Sequence, residues 1–96
     1  MTGSVQAFHP VGGTALITAS GTSASATLPA AGDTVLITNA GSAVAFVRLD
    51  TGPATAADMP IVAGGRALLD CPAAVLAWSV VGTGAVYATR GTGTAV

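Results

Sequence analysis

The chain contains no lysine and no glutamate, and its charge is carried by three arginines and four aspartates. Charged residues therefore make up 7% of the 96 residues, against about 25% in an ordinary soluble domain. The formal net charge is −1, and Arg48, Arg66 and Arg90 are far apart in sequence. Because nucleic acids and anionic membranes are bound by clustered basic residues, we expect neither as a partner. A surface so poor in charge predicts that much of the chain is buried against neighbouring molecules.

Histidine and cysteine occur only once each, which removes most catalytic and metal-binding constellations. A zinc site needs several nitrogen and sulfur ligands, and only His9 and Cys71 could supply them. A Ser-His-Asp triad would also need His9, and the chain has no G-x-S-x-G motif to expose a serine. Neither a dinucleotide-binding glycine motif nor a phosphate-binding loop with its lysine is present. We therefore expect no enzyme activity, no metal and no cofactor, with Cys71 as a small buried hydrophobic residue.

One short motif leaves an enzymatic alternative open. Leu49-Asp50-Thr51-Gly52 matches the D-T-G of aspartic proteases, in which two carboxylates from two copies would share a proton. Arg48 stands where that family has an apolar residue, and Pro53 follows the glycine. We interpret the motif as the end of a strand followed by a turn that Asp50 initiates. A homodimeric aspartic protease that uses Asp50 remains the remote alternative.

Hydrophobic residues make up 51% of the chain, yet no stretch of it is long enough to span a bilayer. The longest apolar stretch runs from Ala73 to Val81 and is interrupted by Ser79, whereas a spanning helix needs about 20 residues. The first residues, Met1-Thr-Gly-Ser, lack the basic start and apolar block of a signal peptide. We expect the chain to fold in the cytoplasm of the cell that makes it.

The order of β-branched segments and turn residues predicts an all-β fold. Short runs rich in valine, isoleucine and threonine alternate with glycine and proline signals, and the alanine-rich runs are cut before they reach helical length. We predict one domain over residues 1–96, a small antiparallel β-sandwich or barrel, jelly-roll-like, with eight or nine short strands. Residues 1–11 are a possible N-terminal arm.

The segment from Asp33 to Asp50 is interpreted as an antiparallel hairpin with its turn at residues 40–42. In the first arm, Val35 and Ile37 share one face because side chains alternate along a strand. In the second arm, Ala45 and Val47 belong to the face that we assign to the outside. The triplet Leu-Ile-Thr occurs at residues 16–18 and again at residues 36–38, which predicts a second, similar hairpin.

Residues Thr51 to Ala57 lack periodicity and contain proline and glycine, which predicts an exposed loop. We select this loop and the start of the chain as candidate contacts with partners. The candidate interface residues are Phe8, His9, Thr51, Pro53 and Asp58.

Three stretches resemble a family of small virion proteins encoded by tailed bacteriophages. They are residues 39–48 (Asn-Ala-Gly-Ser-Ala-Val-Ala-Phe-Val-Arg), residues 57–64 (Ala-Asp-Met-Pro-Ile-Val-Ala-Gly) and residues 82–91 (Gly-Thr-Gly-Ala-Val-Tyr-Ala-Thr-Arg-Gly). The likeness extends in order over nearly the whole chain. The chain departs from the family near Arg90 and Thr92, and between Ala67 and Leu69.

The resemblance implies a capsid decoration, or cement, protein that binds the outside of the major capsid protein lattice and stabilises the head. It also implies self-association, with a trimer favoured, and a location on the virion exterior. Because a repeating lattice binds many copies, a modest uncharged contact suffices for each copy. The alternative within the same class is a tail or fibre-base module involved in host attachment.

Overall fold

The computed structural model describes residues 7–93. Within them, short segments of alternating apolar and polar side chains form eight strands. All pairings are antiparallel, and no helix is present within these residues. Each strand is short because glycine, proline or a polar turn follows within a few residues. The strands are β1 (His9–Ala19), β2 (Ala24–Thr27), β3 (Thr34–Asn39), β4 (Ala45–Arg48), β5 (Met59–Ile61), β6 (Arg66–Asp70), β7 (Ala77–Val81) and β8 (Gly84–Thr92).

The strands form two four-stranded sheets that pack face to face. The first sheet has the order β1-β8-β3-β6 and the second has the order β2-β7-β4-β5. This is the strand order of an eight-stranded jelly roll, in which most successive strands lie in different sheets. The predicted all-β, jelly-roll-like sandwich is therefore confirmed, with eight strands.

The predicted hairpin over residues 33–50 is wrong in its pairing, although both arms are strands. β3 pairs with β8 and β6 in the first sheet, and β4 pairs with β7 and β5 in the second. The chain crosses between the sheets at Asn39, whose buried side chain donates to the carbonyls of Ala43 and Ile61 and accepts from the N–H of Gly41. Two consecutive amphipathic strands can pair edge to edge in one sheet or pack face to face in two sheets. The hydrogen bonds of Asn39 stabilise the face-to-face arrangement.

The repeated Leu-Ile-Thr triplet has the same explanation. β1 lies in the first sheet and β2 in the second, so the turn between them also crosses the sandwich. The repeat therefore marks two crossings between the sheets and not two hairpins. β4 and β5 are consecutive strands that do pair with each other.

Gly12 and Gly13 lie at a β-bulge within β1. β1 continues from His9 to Ala19, and its register against β8 shifts between Pro10 and Gly13. Gly13 has a φ of 87°, which favours glycine over any residue with a side chain. The predicted N-terminal arm lies partly outside the described residues, which begin at Ala7.

The core lies between the sheets and is built from small and β-branched side chains around one tryptophan. Val35 and Ile37 are fully buried, as their shared face predicts. Ala45 and Val47 also face the core, so their assignment to the outside is wrong. Small side chains are accommodated there because β4 lies beside β7, which contributes the large side chain of Trp78 to the same interior.

Arg90 is fully buried and binds backbone carbonyls in place of a carboxylate. One terminal nitrogen donates to the carbonyls of Pro29 and Val75, at 3.0 and 2.8 Å, and the other donates to those of Cys71 and Pro72, at 2.8 and 2.7 Å. The ion pairs found among residues 7–93 involve Arg48 and not Arg90. Arg90 thus fastens the β2–β3 and β6–β7 connections to β8 at one end of the sandwich.

We expect Arg90→Met to lower the free energy of unfolding by about 3 kcal/mol or more, measured by urea denaturation, because four carbonyls would lose their donor in a dry site. The free energy of unfolding of Arg90→Lys should lie between those of the wild type and Arg90→Met, since an ammonium has fewer donors and they do not spread in a plane. Arg66→Met removes an exposed guanidinium and is the matched control, with a change within about 0.5 kcal/mol. Equal effects of the two methionine variants would contradict this role for Arg90.

We expect Asn39→Asp to destabilise the fold by about 2 to 4 kcal/mol at neutral pH, because a carboxylate would face two carbonyl oxygens where the amide now donates to both. The pKa of the new carboxyl should be raised in the folded state. The stability lost should therefore be recovered as the pH falls through that raised pKa. Denaturation curves at several pH values check this expectation, and a loss that does not depend on pH would contradict it.

Candidate interaction surface

The connection between β4 and β5, residues 49–58, covers part of the outer face of the second sheet. The carbonyl of Asp50 accepts a hydrogen bond from Ser79 Oγ at 2.7 Å, and Ser23 Oγ accepts one from the N–H of Ala54 at 2.8 Å. Ser79 and Ala54 are both buried as a result. The predicted loop is therefore exposed along most of its length, but the chain itself covers part of this uncharged face.

An ion pair shapes the start of this loop. Arg48 Nε donates to Asp50 Oδ1 at 2.7 Å, and the same oxygen accepts the N–H of Gly52 at 2.8 Å. The hydrogen bond from Arg48 holds the pKa of the Asp50 carboxyl below its usual value. Asp50 therefore initiates the turn after β4, as interpreted from the sequence, with its carboxylate bonded to Arg48 and to the N–H of Gly52.

Three of the five candidate interface residues lie on this loop. Thr51 and Pro53 are exposed, whereas Asp58 is partly buried and accepts the N–H of Thr55 at 2.8 Å. Arg48 Nη1 lies 3.9 Å from Asp58 Oδ1, so both ends of the loop share one guanidinium. Asp58 therefore shapes the loop in addition to presenting a carboxylate.

The other two candidates lie beside the first sheet: His9 is the first residue of β1, and Phe8 directly precedes it. His9 is exposed and sits opposite Thr92. Phe8 is half-buried, and its ring lies so close to Gly91 that a Cβ there would be 2.7 Å from the ring carbon Cζ. The structure therefore divides the five candidates between two sheets instead of collecting them in one patch.

A shallow cleft opens beside the β4–β5 loop. It has a volume of about 260 Å³ and is lined by residues 49–51 and 74–77. Its lining is mainly apolar, with the Asp50 carboxylate already bonded to Arg48. Ligand pockets usually measure about 300 to 1,000 Å³ and enclose most of the ligand, so this open cleft is a weak candidate for a small-molecule site.

The outer face of the first sheet carries charge only at its β6 edge, at Arg66 and Asp70, and the rest of it is an uncharged surface that the sequence did not predict. Leu16 on β1 and Tyr87 on β8 are cross-strand neighbours and are 50% and 38% exposed. Leu36 and Leu68 are paired next to each other on β3 and β6 and are half-buried. Threonines occupy most of the remaining outward positions: Thr14, Thr18, Thr34, Thr38 and Thr89.

Three of the five threonines on this face, Thr14, Thr34 and Thr89, form hydrogen bonds within the sheet. Thr14 Oγ1 and Thr89 Oγ1 are 2.8 Å apart, and Thr34 Oγ1 donates to the carbonyl of Gly91 at 3.0 Å. The part of the face formed by β1, β8 and β3 therefore presents methyl groups, leucines and one tyrosine in place of charges. Nothing within residues 7–93 covers Leu16 or Tyr87 in the way that the β4–β5 loop covers Ser79.

The chemistry-bearing residues do not come together elsewhere in the described chain. Residues 7–93 contain no cluster of three or more histidine, cysteine, aspartate or glutamate side chains that could hold a metal. Cys71 is buried, as predicted, and burial raises the pKa of its thiol. None of the described residues forms a helix of the length and apolar character needed to cross a bilayer.

No protein-family model, curated protein or solved structure that we compared with the chain gives a significant match.

We expect the Asp50 carboxyl to titrate below about 3.9, the usual aspartate value, when followed by NMR, and Arg48→Gln to return its pKa toward that value. Because the folded-state pKa is lowered, the stability that Asp50 contributes is present above its unfolded pKa and is lost as the pH falls through its folded pKa. The backbone amide chemical shifts of residues 54–57 in the same variant report any general loosening of the loop. A wild-type Asp50 with an ordinary pKa would contradict the ion pair.

Proposed function

We propose that this protein is a capsid decoration, or cement, protein of a tailed bacteriophage, which binds the outside of the major capsid protein lattice and stabilises the head. The observation that carries the proposal is the uncharged outer face of the first sheet, around Leu16 and Tyr87. Exposed apolar patches on small domains are typical of surfaces that bind other proteins. The resemblance of three ordered stretches to small virion proteins supplies the identity of the partner.

Multivalency explains how such a face could function. One contact made of leucines, threonines and a tyrosine is modest, and a free domain would bind a single capsid subunit weakly. A decoration protein that self-associates, with a trimer favoured, meets several subunits of a repeating lattice at once, so weak contacts add to a stable attachment. The rigid sandwich supports this role because its outward side chains are held in fixed register.

The tail or fibre-base alternative would attach the same domain at a few sites on the particle and give it a role in host attachment. The open cleft at residues 49–51 and 74–77 is the feature that could serve such a role, but it is smaller than most ligand sites. Copy number separates the two functions. Quantitative mass spectrometry of virions should find the protein in amounts comparable with the major capsid protein, whereas a few copies per particle would favour the tail.

We expect Leu16→Arg and Tyr87→Arg to weaken binding to heads of the parent phage by at least about tenfold, measured by co-sedimentation, because each buries a charge at the contact. Val62→Arg is the matched control, since Val62 is 66% exposed in the turn between β5 and β6, away from this face. Cryo-electron microscopy of the particle should place density for the domain on the outside of the head. Heads that carry no such density, with the protein found only in the infected-cell lysate, would refute the proposal.

A further inference from the structure

The edge of the first sheet at β6 has unused backbone groups at alternate residues. The N–H of Asn39 donates to the carbonyl of Gly65, and the N–H of Cys71 donates to that of Asp33, so the odd-numbered residues face β3. In an antiparallel ladder this orientation alternates from residue to residue. The N–H and C=O groups of Arg66, Leu68 and Asp70 therefore point away from the sheet, and β6 has no second neighbour among the described strands.

The other described edges are protected in ways that β6 is not. β5 has three residues with Pro60 in its middle, and β2 has four residues. β1 carries Pro10 and a bulge in its first part, and its regular part, residues 14–19, has no charged side chain with which to select a partner. Proline, bulges and short length are the devices by which natural sheets prevent edge-to-edge pairing. β6 has five residues with neither proline nor glycine.

Charge makes this edge complementary to itself. Arg66 and Asp70 are exposed at opposite ends of β6, on the same outward face as Leu68, and neither forms an ion pair within residues 7–93. In an antiparallel pairing of two β6 strands centred on Leu68, Arg66 of each copy lies directly opposite Asp70 of the other. The same register aligns the three residues whose backbone groups are free, and each such pair exchanges two N–H···O bonds.

We propose that β6 is a twofold self-association edge, through which two copies of this chain join their first sheets into one continuous eight-stranded sheet. The partner is a second copy because the pattern of charges and free backbone groups is symmetric about Leu68, as an isologous contact requires. Pairing of β6 with the β1 edge of another copy would place threonines opposite Arg66 and Asp70 and leave both charges without a partner. The contact does not depend on the proposed capsid role and is additional to any trimer.

Sedimentation velocity on the purified chain, from about 10 μM to about 1 mM, tests the contact through charge reversal. The wild type should double its mass with rising concentration. Arg66→Asp and Asp70→Arg should each lower the association constant by about tenfold or more, because both ion pairs become like-charge pairs. Mixing these two variants should produce a heterodimer, and the double variant should restore self-association, because opposite charges again face each other.

Proline substitutions distinguish the two edges. Leu68→Pro removes a free N–H at the centre of the contact and should abolish the doubling of mass. Leu16→Pro is the matched control, because the N–H of Leu16 also points away from its sheet, at the β1 edge, and it should leave the doubling unchanged. Circular dichroism confirms that each variant is folded, and the charge variants test the contact even if a proline variant does not fold.

A wild type whose mass never doubles over this range would overturn the proposal. Self-association that persists in both charge-reversal variants, that shows no preference for the mixed pair, or that Leu16→Pro removes would overturn it equally. None of these results bears on attachment to heads through the Leu16 and Tyr87 face, so the two proposals fail separately.

Discussion

Arg90 donates hydrogen bonds to four backbone carbonyls at one end of the sandwich. These bonds hold two of the connections between strands in place. A buried guanidinium is costly, and its attraction to a single carboxylate often fails to offset that cost. Here the partners are carbonyl oxygens of two connections that would otherwise need donors of their own. A domain whose core is built from small and β-branched side chains around one tryptophan has little apolar area with which to hold irregular segments in place. The guanidinium, whose donors spread in a plane, holds these connections with hydrogen bonds in addition to apolar packing.

Local alternation of side chains was enough to predict the fold class, and it failed where pairing partners are distant in sequence. The inward face of β3 followed from the spacing of Val35 and Ile37, because a period of two is a property of the strand alone. The pairing of β3 with β4 did not follow, since two amphipathic strands joined by a short turn can lie in one sheet or in two. The buried amide of Asn39 decides between these arrangements, and an asparagine before a glycine looks the same in a hairpin and in a crossing turn.

The candidate surface was harder to predict than the fold for the same reason. Thr51 and Pro53 could be predicted from the sequence because loops have a recognisable amino-acid composition. The patch around Leu16 and Tyr87 exists only through the register of β1 against β8, which joins residues 71 positions apart in the chain. The signal that the sequence offers is the series Thr14, Leu16 and Thr18 on one face of β1, which is also typical of an ordinary strand. Arg90 likewise resembled any exposed arginine, since nothing beside it in sequence reveals four carbonyls from other connections.

The folded chain exposes even fewer unpaired charges than its composition indicates. Arg90 is buried, and Arg48 is engaged with Asp50 and Asp58 in shaping one loop. Asp33, Arg66 and Asp70 are left as exposed ions without an ion pair within residues 7–93, and Arg66 and Asp70 flank a free strand edge. Away from that edge, the outer face of the first sheet offers threonine methyls, leucines and a tyrosine to any partner. Selectivity there must come from shape and from the number of simultaneous contacts, because exposed charge is too sparse to steer or to discriminate. Charge can select a partner at the β6 edge, where two opposite charges lie one strand length apart.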